Sequence, residues 1–146
     1  MNRYNPFFLL LLLLLSQCSE NKILKEKTTL ETNQLLWSSM KIENYRITQS
    51  MTCYCPRNLV EPNVIEVRNG KIVSVNGEVS IQEYMPFKTM DDFFEFIDRK
   101  LGSNPFASII QYDKKYGFPR NFYFDMNEMM MDEEVGYTLT DFTILE

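Results

Sequence analysis

Apolar positions along this chain change period several times, and each change marks an element. Phe7 to Leu15 is an unbroken apolar run. After a polar stretch, Leu30, Leu36, Trp37 and Met40 recur at helical spacing and predict a helix near 29–41, with Trp37 as its anchor into the core. From Asn44 to Cys55 the period drops to two. Tyr45, Ile47, Met51, Cys53 and Cys55 share one face of a predicted strand; Arg46, Thr48, Ser50 and Thr52 share the other. Pro56 ends this strand, and Arg57 to Pro62 reads as a loop. Asn63 to Asn76 predicts a hairpin around Asn69-Gly70, the preferred pair for a type I′ turn. That turn sets Arg68 against Lys71, Val67 against Ile72, Glu66 against Val73 and Val64 against Val75. Apolar residues on both faces predict cover on both sides for part of the hairpin. Asn76-Gly77 is a second turn signal. Glu78 to Lys88, broken at Met85-Pro86, reads as a loop.

Thr89 to Leu101 carries the strongest helical stripe: Met90, Phe93, Phe94, Ile97 and Leu101. Thr89 can cap it, Asp91 and Asp92 suit the positive first turn, Arg99 and Lys100 the last, and Gly102 the residue just beyond. Phe106 to Asp113 and Phe118 to Asp125 predict an aromatic-rich hairpin turning at Gly117, expected to lie at the centre of the domain. Met126 to Glu134 is a loop rich in Met and acidic residues, and Tyr137 to Ile144 a final strand. The order α-β-β-β-α-β-β-β predicts an α+β domain, with an antiparallel sheet of about six strands and one or two helices on one face.

Composition narrows the functions. The chain has 146 residues, 45% hydrophobic and 24% charged, which fits one globular domain. Fifteen basic against 20 acidic residues give a net charge of −5 without a basic cluster, so no nucleic-acid partner is expected. The absence of histidine excludes Ser-His and Cys-His catalysis and every imidazole metal ligand. The nine apolar residues after Arg3 are too few for a membrane span, which needs about 20, and fit the core of an export signal. Leu15-Ser16-Gln17-Cys18 follows in the manner of a bacterial lipoprotein signal, although Gln17 stands where Gly, Ala or Ser is usual. The expected division is a signal peptide over 1–17, a lipid-anchored tether over 18–28 beginning at Cys18, and one domain over 29–146. Two thiols then remain, an even number that suits an oxidising envelope compartment.

Several segments occur in a recognisable order: Trp37, N-Y-R-I-T at Asn44–Thr48, C-Y-C-P at Cys53–Pro56, V-R-N-G-K-I-V-S-V at Val67–Val75, and the T-M-D-D-F-F-E-F-I helix start. Y-D-K-K-Y-G-F-P at Tyr112–Pro119 and M-D-E-E-V-G-Y-T-L-T-D-F at Met131–Phe142 complete it. The chain resembles the bacterial secreted or lipid-anchored family catalogued as domain of unknown function 6174. That resemblance implies an envelope location and a C-x-C pair, and no activity.

Four groups are candidate chemistry. Cys53 and Cys55, two apart on a strand, would lie about 6.6 Å apart at the usual rise, near the disulfide limit of about 6.8 Å, so a bridge needs a kink at Tyr54. They read as a structural clip or as a thiol–disulfide redox pair. Asp125, Asn127, Asp132 and Glu133 in the 125–134 loop carry oxygens that suit Ca²⁺, but the EF-hand spacing fails, and a solvated acidic loop is the plainer reading. Met126, Met129, Met130 and Met131 have Cu(I)-binding thioethers, with core or loop packing the expected role. Tyr112, Asp113, Tyr116 and Arg120 surround the central turn and could bind a ligand or partner, or simply brace the hairpin. The function expected is a non-enzymatic envelope lipoprotein, held on the membrane by its lipid, binding a protein or other envelope component and requiring no cofactor. The calcium module and the redox protein are the alternatives.

Overall fold

The computed structural model describes residues 6–79 and 86–146; Arg3 and the break at Met85 lie outside them. Six strands form one antiparallel sheet in the order β3-β2-β1-β6-β5-β4. They are β1 (Tyr45–Thr52), β2 (Asn63–Arg68), β3 (Lys71–Val75), β4 (Ala107–Tyr112), β5 (Pro119–Asp125) and β6 (Val135–Ile144). Helices α1 (Pro6–Met40) and α3 (Met90–Gly102) cover one face, and a short α2 (Arg57–Val60) occupies part of the stretch expected as loop. The α+β class, the antiparallel sheet and its strand number are as the sequence predicts.

The core lies between the helices and the inward positions of the strands. Ile47, Ile65, Val67, Phe122, Phe124 and Leu139 point into it from the sheet, and Phe93, Phe94 and Ile97 from α3. Trp37 is buried and stands edge-on to Tyr45, Phe118 and Phe142, with ring centroids 5.6, 6.2 and 5.9 Å away. Two buried polar groups tie the chain entering α3 to the sheet. Gln49 takes an inward position on β1, where its amide donates to the Lys88 carbonyl at 2.6 Å and accepts from the Lys88 N–H at 3.2 Å. The Tyr45 hydroxyl accepts from the Met90 N–H at 2.8 Å. Thr89 and Asp92 close a reciprocal capping box at the start of α3.

Several expectations are corrected. Helix α1 does not begin near Thr29 but runs continuously from Pro6, so the stretch expected as a tether is helical. Neither Gly nor Pro interrupts it, its Lys, Glu and Leu are strong helix formers, and contact with the body holds it. Glu26 accepts a hydrogen bond from the Ser108 hydroxyl at 2.7 Å, and Leu30 is buried. Met40, expected in the apolar stripe, is exposed. The aromatic hairpin β4–β5 is not central: β4 is an edge strand, and the middle of the sheet is the β1–β6 pair. In the β2–β3 hairpin a bulge at Val73 shifts the register, so Glu66 faces Ser74 and Ile65 faces Val75. Val64 is exposed, so among the described residues nothing covers the outer face of that hairpin there. Gly102 stays inside α3, and Asn104 takes the left-handed conformation instead (φ 55°). Among the described residues no helix is long and apolar enough to cross a membrane.

Two predictions follow from this packing. Trp37→Ala should cost about 3–5 kcal/mol in denaturant unfolding, as loss of a large buried aromatic does, whereas Leu35→Ala on the exposed side of α1 should change stability by less than about 0.5 kcal/mol. Burial pushes the Tyr137 hydroxyl, which donates to the Pro86 carbonyl at 2.9 Å, up to about 12 from its ordinary 10.0. The unfolded chain therefore loses this proton first, and the stability it contributes is intact below pH 10.0 and lost as pH rises towards 12. Urea titrations should show a decline across that window that is shallower in Tyr137→Phe.

Candidate functional site

Three of the four residues expected around the β4–β5 turn come together; the fourth does not. Asp113 opens the turn, and its carboxylate accepts from the backbone N–H groups of Lys115 and Tyr116, each at 2.8 Å. The Gly117 N–H closes the turn on the Asp113 carbonyl at 2.9 Å. Gly117 is needed twice over. Its φ is +81°, and a Cβ there would lie 2.5 Å from the Asn33 carbonyl oxygen on α1. The turn is thus seated against the helix, which fixes where Tyr116 and Phe118 stand.

Two irregularities then shape a cavity beside the turn. Tyr112 faces Pro119 while Gln111 faces Asn121, so Arg120 is the extra residue of a bulge and its side chain is exposed. Across the sheet, the β1–β6 register shifts between Arg46 and Thr48, and Asp141 takes φ 54°. That second bulge moves Phe142 inward, where it packs on Phe118 at 4.8 Å between centroids. Asp113, Tyr116, Phe118, Arg120, Leu139, Thr140, Asp141 and Phe142 line a shallow cavity of about 300 Å³. Its aromatic walls are Tyr116, Phe118 and Phe142. Its charged groups are Arg120 and the two carboxylates.

The charges are only partly committed. The Thr140 hydroxyl donates to Asp141 Oδ2 at 2.9 Å. The Lys115 amine donates to the Tyr116 hydroxyl at 2.7 Å and lies 4.5 Å from that ring's centroid; the hydrogen bond holds its pKa above the ordinary lysine value. Among the described residues no carboxylate forms an ion pair with Arg120. A guanidinium fork beside hydroxyls, carboxylates and aromatic rings can hold a small charged or peptide-like group.

Tyr112 lies apart, on the inward face under α1, where it lines a different cavity of about 290 Å³ with Lys22, Lys25, Glu26, Thr29 and Ile110. Its hydroxyl is buried without a hydrogen-bond partner, and burial pushes its pKa up. Cys53 and Cys55 follow the end of β1, where the chain bends; their Cα atoms are 5.4 Å apart, at disulfide distance. The bend turns Tyr54 outward. In the acidic loop, Asp125 accepts from the Asn127 N–H, Asn127 from the Met129 N–H, and Glu133 from the N–H groups of Met126 and Asn127. Asp132 holds a left-handed turn position. Among the described residues no three of His, Cys, Asp and Glu are grouped so as to hold a metal ion. Of the four methionines expected to pack, only Met126 rests against the core; Met129, Met130 and Met131 are exposed.

Asp141, Thr140, Phe118 and Phe142 were not among the residues expected at this site. One signal for them was present. Tyr137 and Leu139 set an inward phase in β6 that places Asp141 inward, and an Asp there marks a bulge, since Asp tolerates the left-handed conformation.

Fold and cavity together define a small α+β sheet protein with one face under helices, the other open among the described residues, and a mixed polar–aromatic cavity at its bulged strand ends. Residues 29–144 match the model of the family described as Family of unknown function (DUF6174), and the chain belongs to that family. No curated protein and no solved structure matches it.

The seating of the turn on α1 gives a direct test. Gly117→Ala should destabilise the protein by about 2–4 kcal/mol, the sum of a left-handed alanine and an overpacked contact; a thermal melt unchanged from the parent would contradict this account of the turn.

Proposed function

We propose that this protein is a lipid-anchored binding module of the bacterial cell envelope, exported by its N-terminal signal and modified at Cys18, which engages a protein or other envelope component at the bulge cavity. The observation that carries the binding role is the convergence of Asp113, Tyr116 and Arg120 with Asp141 on one aromatic-walled cavity. Arg120, free of an internal ion pair among the described residues, presents its donors to an incoming carboxylate or similar group. The anchor reading rests on the apolar run ending just before Cys18. Cys53 and Cys55 serve as a clip that ends β1. Supporting a site on a rigid sheet rather than on a free loop keeps the ordering cost of binding low.

Two measurements test the proposal. Intact mass spectrometry of the native protein should report loss of residues 1–17 and lipid on Cys18; an unmodified thiol at that position removes the anchor. A photo-crosslinker in place of Tyr116 should give a discrete adduct in living cells that Arg120→Ala reduces at least tenfold. An adduct pattern insensitive to that substitution, or none, removes the binding role.

A further inference from the structure

The antiparallel register gathers six chain ends at one end of the sheet. Thr52 at the end of β1 faces Gly136 at the start of β6, Gln49 faces Asn63 at the start of β2, and Ala107 at the start of β4 faces Asp125 at the end of β5. Helix α1 enters the body at the same end. Lys22 and Ile23 line a cavity of about 540 Å³ with Asn104, Phe106, Met126 and Met129. Large apolar side chains are left in solvent there: Met129 is 91% exposed, Met131 87% and Tyr54 84%, and Phe106, Met130 and Leu24 are also exposed. The Asp113–Gly117 turn and the bulge cavity stand towards the opposite end, where β4 gives way to β5.

An exposed apolar surface of this kind needs an occupant, and the chain supplies the argument for one. The helix that borders it continues upstream through Cys18 into the apolar run Phe7–Leu15. Lys22 is four residues past Cys18, about 6 Å along a helix. A lipid on Cys18 brings this end of the domain within a side chain's reach of the bilayer. We infer that the end bearing Tyr54, Phe106 and Met129–Met131 docks on the membrane that anchors the chain, its apolar side chains entering the interfacial layer. The domain is thereby held upright, with the bulge cavity facing away from the lipid. This inference rests on the anchor reading above and adds an orientation to it. Met and Tyr suit the interface, where flexible thioethers and an amphipathic ring meet acyl chains and headgroups. Glu128, Asp132, Glu133 and Glu134 surround the methionines, so the contact is with uncharged lipid surface and not with an anionic one.

Tryptophan reporters in the mature protein purified from membranes, beginning at Cys18 and reconstituted into phosphatidylethanolamine–phosphatidylcholine vesicles, test it. Met129→Trp places a reporter in the loop, and Leu35→Trp places one on an exposed position thirteen residues past Lys22 on α1. Trp37 is buried and contributes the same background to both. With the protein co-floating with vesicles, quenching by brominated acyl chains should be at least threefold stronger at 129 than at 35, and iodide quenching correspondingly weaker. Equal quenching at both positions in co-floating protein overturns the docking while leaving the anchor intact. Failure to co-float, together with an unmodified Cys18, overturns the anchor and the docking with it.

Discussion

The pairing of β1 with β6 is the contact on which the rest of the structure depends. Strands β1, β2 and β3 are linked by short connections, as are β4, β5 and β6. Each set alone is a three-stranded ribbon with little to bury. The β1–β6 ladder, from Tyr45↔Ile144 to Thr52↔Gly136, joins strands from opposite ends of the domain and makes one sheet of them. Such a contact carries a high loop-closure cost and must be supported by burial. That burial comes from the helices. Trp37 of α1 packs on Tyr45 of β1, Phe118 and Phe142 of β6, and Phe93 of α3 packs on Phe122 and Tyr137. The helices bridge the seam.

Polar groups do a different task in this core. Gln49 and Tyr45 hold the backbone that leads into α3, and Thr89 with Asp92 caps the helix. Buried donors and acceptors left unpaired are costly, so these bonds fix the position of α3 more sharply than apolar packing alone does. The open face of the sheet is held more loosely. Glu66 bridges Arg46 and Arg68 at 3.3 and 3.0 Å, and the two guanidinium groups hold its carboxyl below the usual range. Exposed pairs of this kind contribute little to stability.

The bulges link the seam to the proposed site. A regular β6 would direct Asp141 into the core and Phe142 to solvent. The extra residue reverses both, so one distortion completes the aromatic cluster and turns a carboxylate towards Arg120's side of the sheet. Arg120 is expelled from the ladder in the same manner on β5. Sheet geometry and cavity chemistry therefore share a cause.

Local pattern determined much of this protein. The alternation in β1, the Asn-Gly turns, the capped apolar stripe of α3 and the Gly117 turn all follow from interactions within a dozen residues, and all were legible in the sequence. So was the clustering of Asp113, Tyr116 and Arg120 about the turn, because they are neighbours along the chain. The strand order, the edge position of β4, the inward Gln49 and the placing of Arg120 and Asp141 on one cavity were not legible. They depend on which distant surfaces bury one another, and that is settled only when the two ribbons and two helices close on a common core. Tyr112 illustrates the limit: one residue from Asp113 in sequence, it points to the opposite side of the hairpin because successive side chains of a strand alternate, and tertiary packing then places it beneath α1.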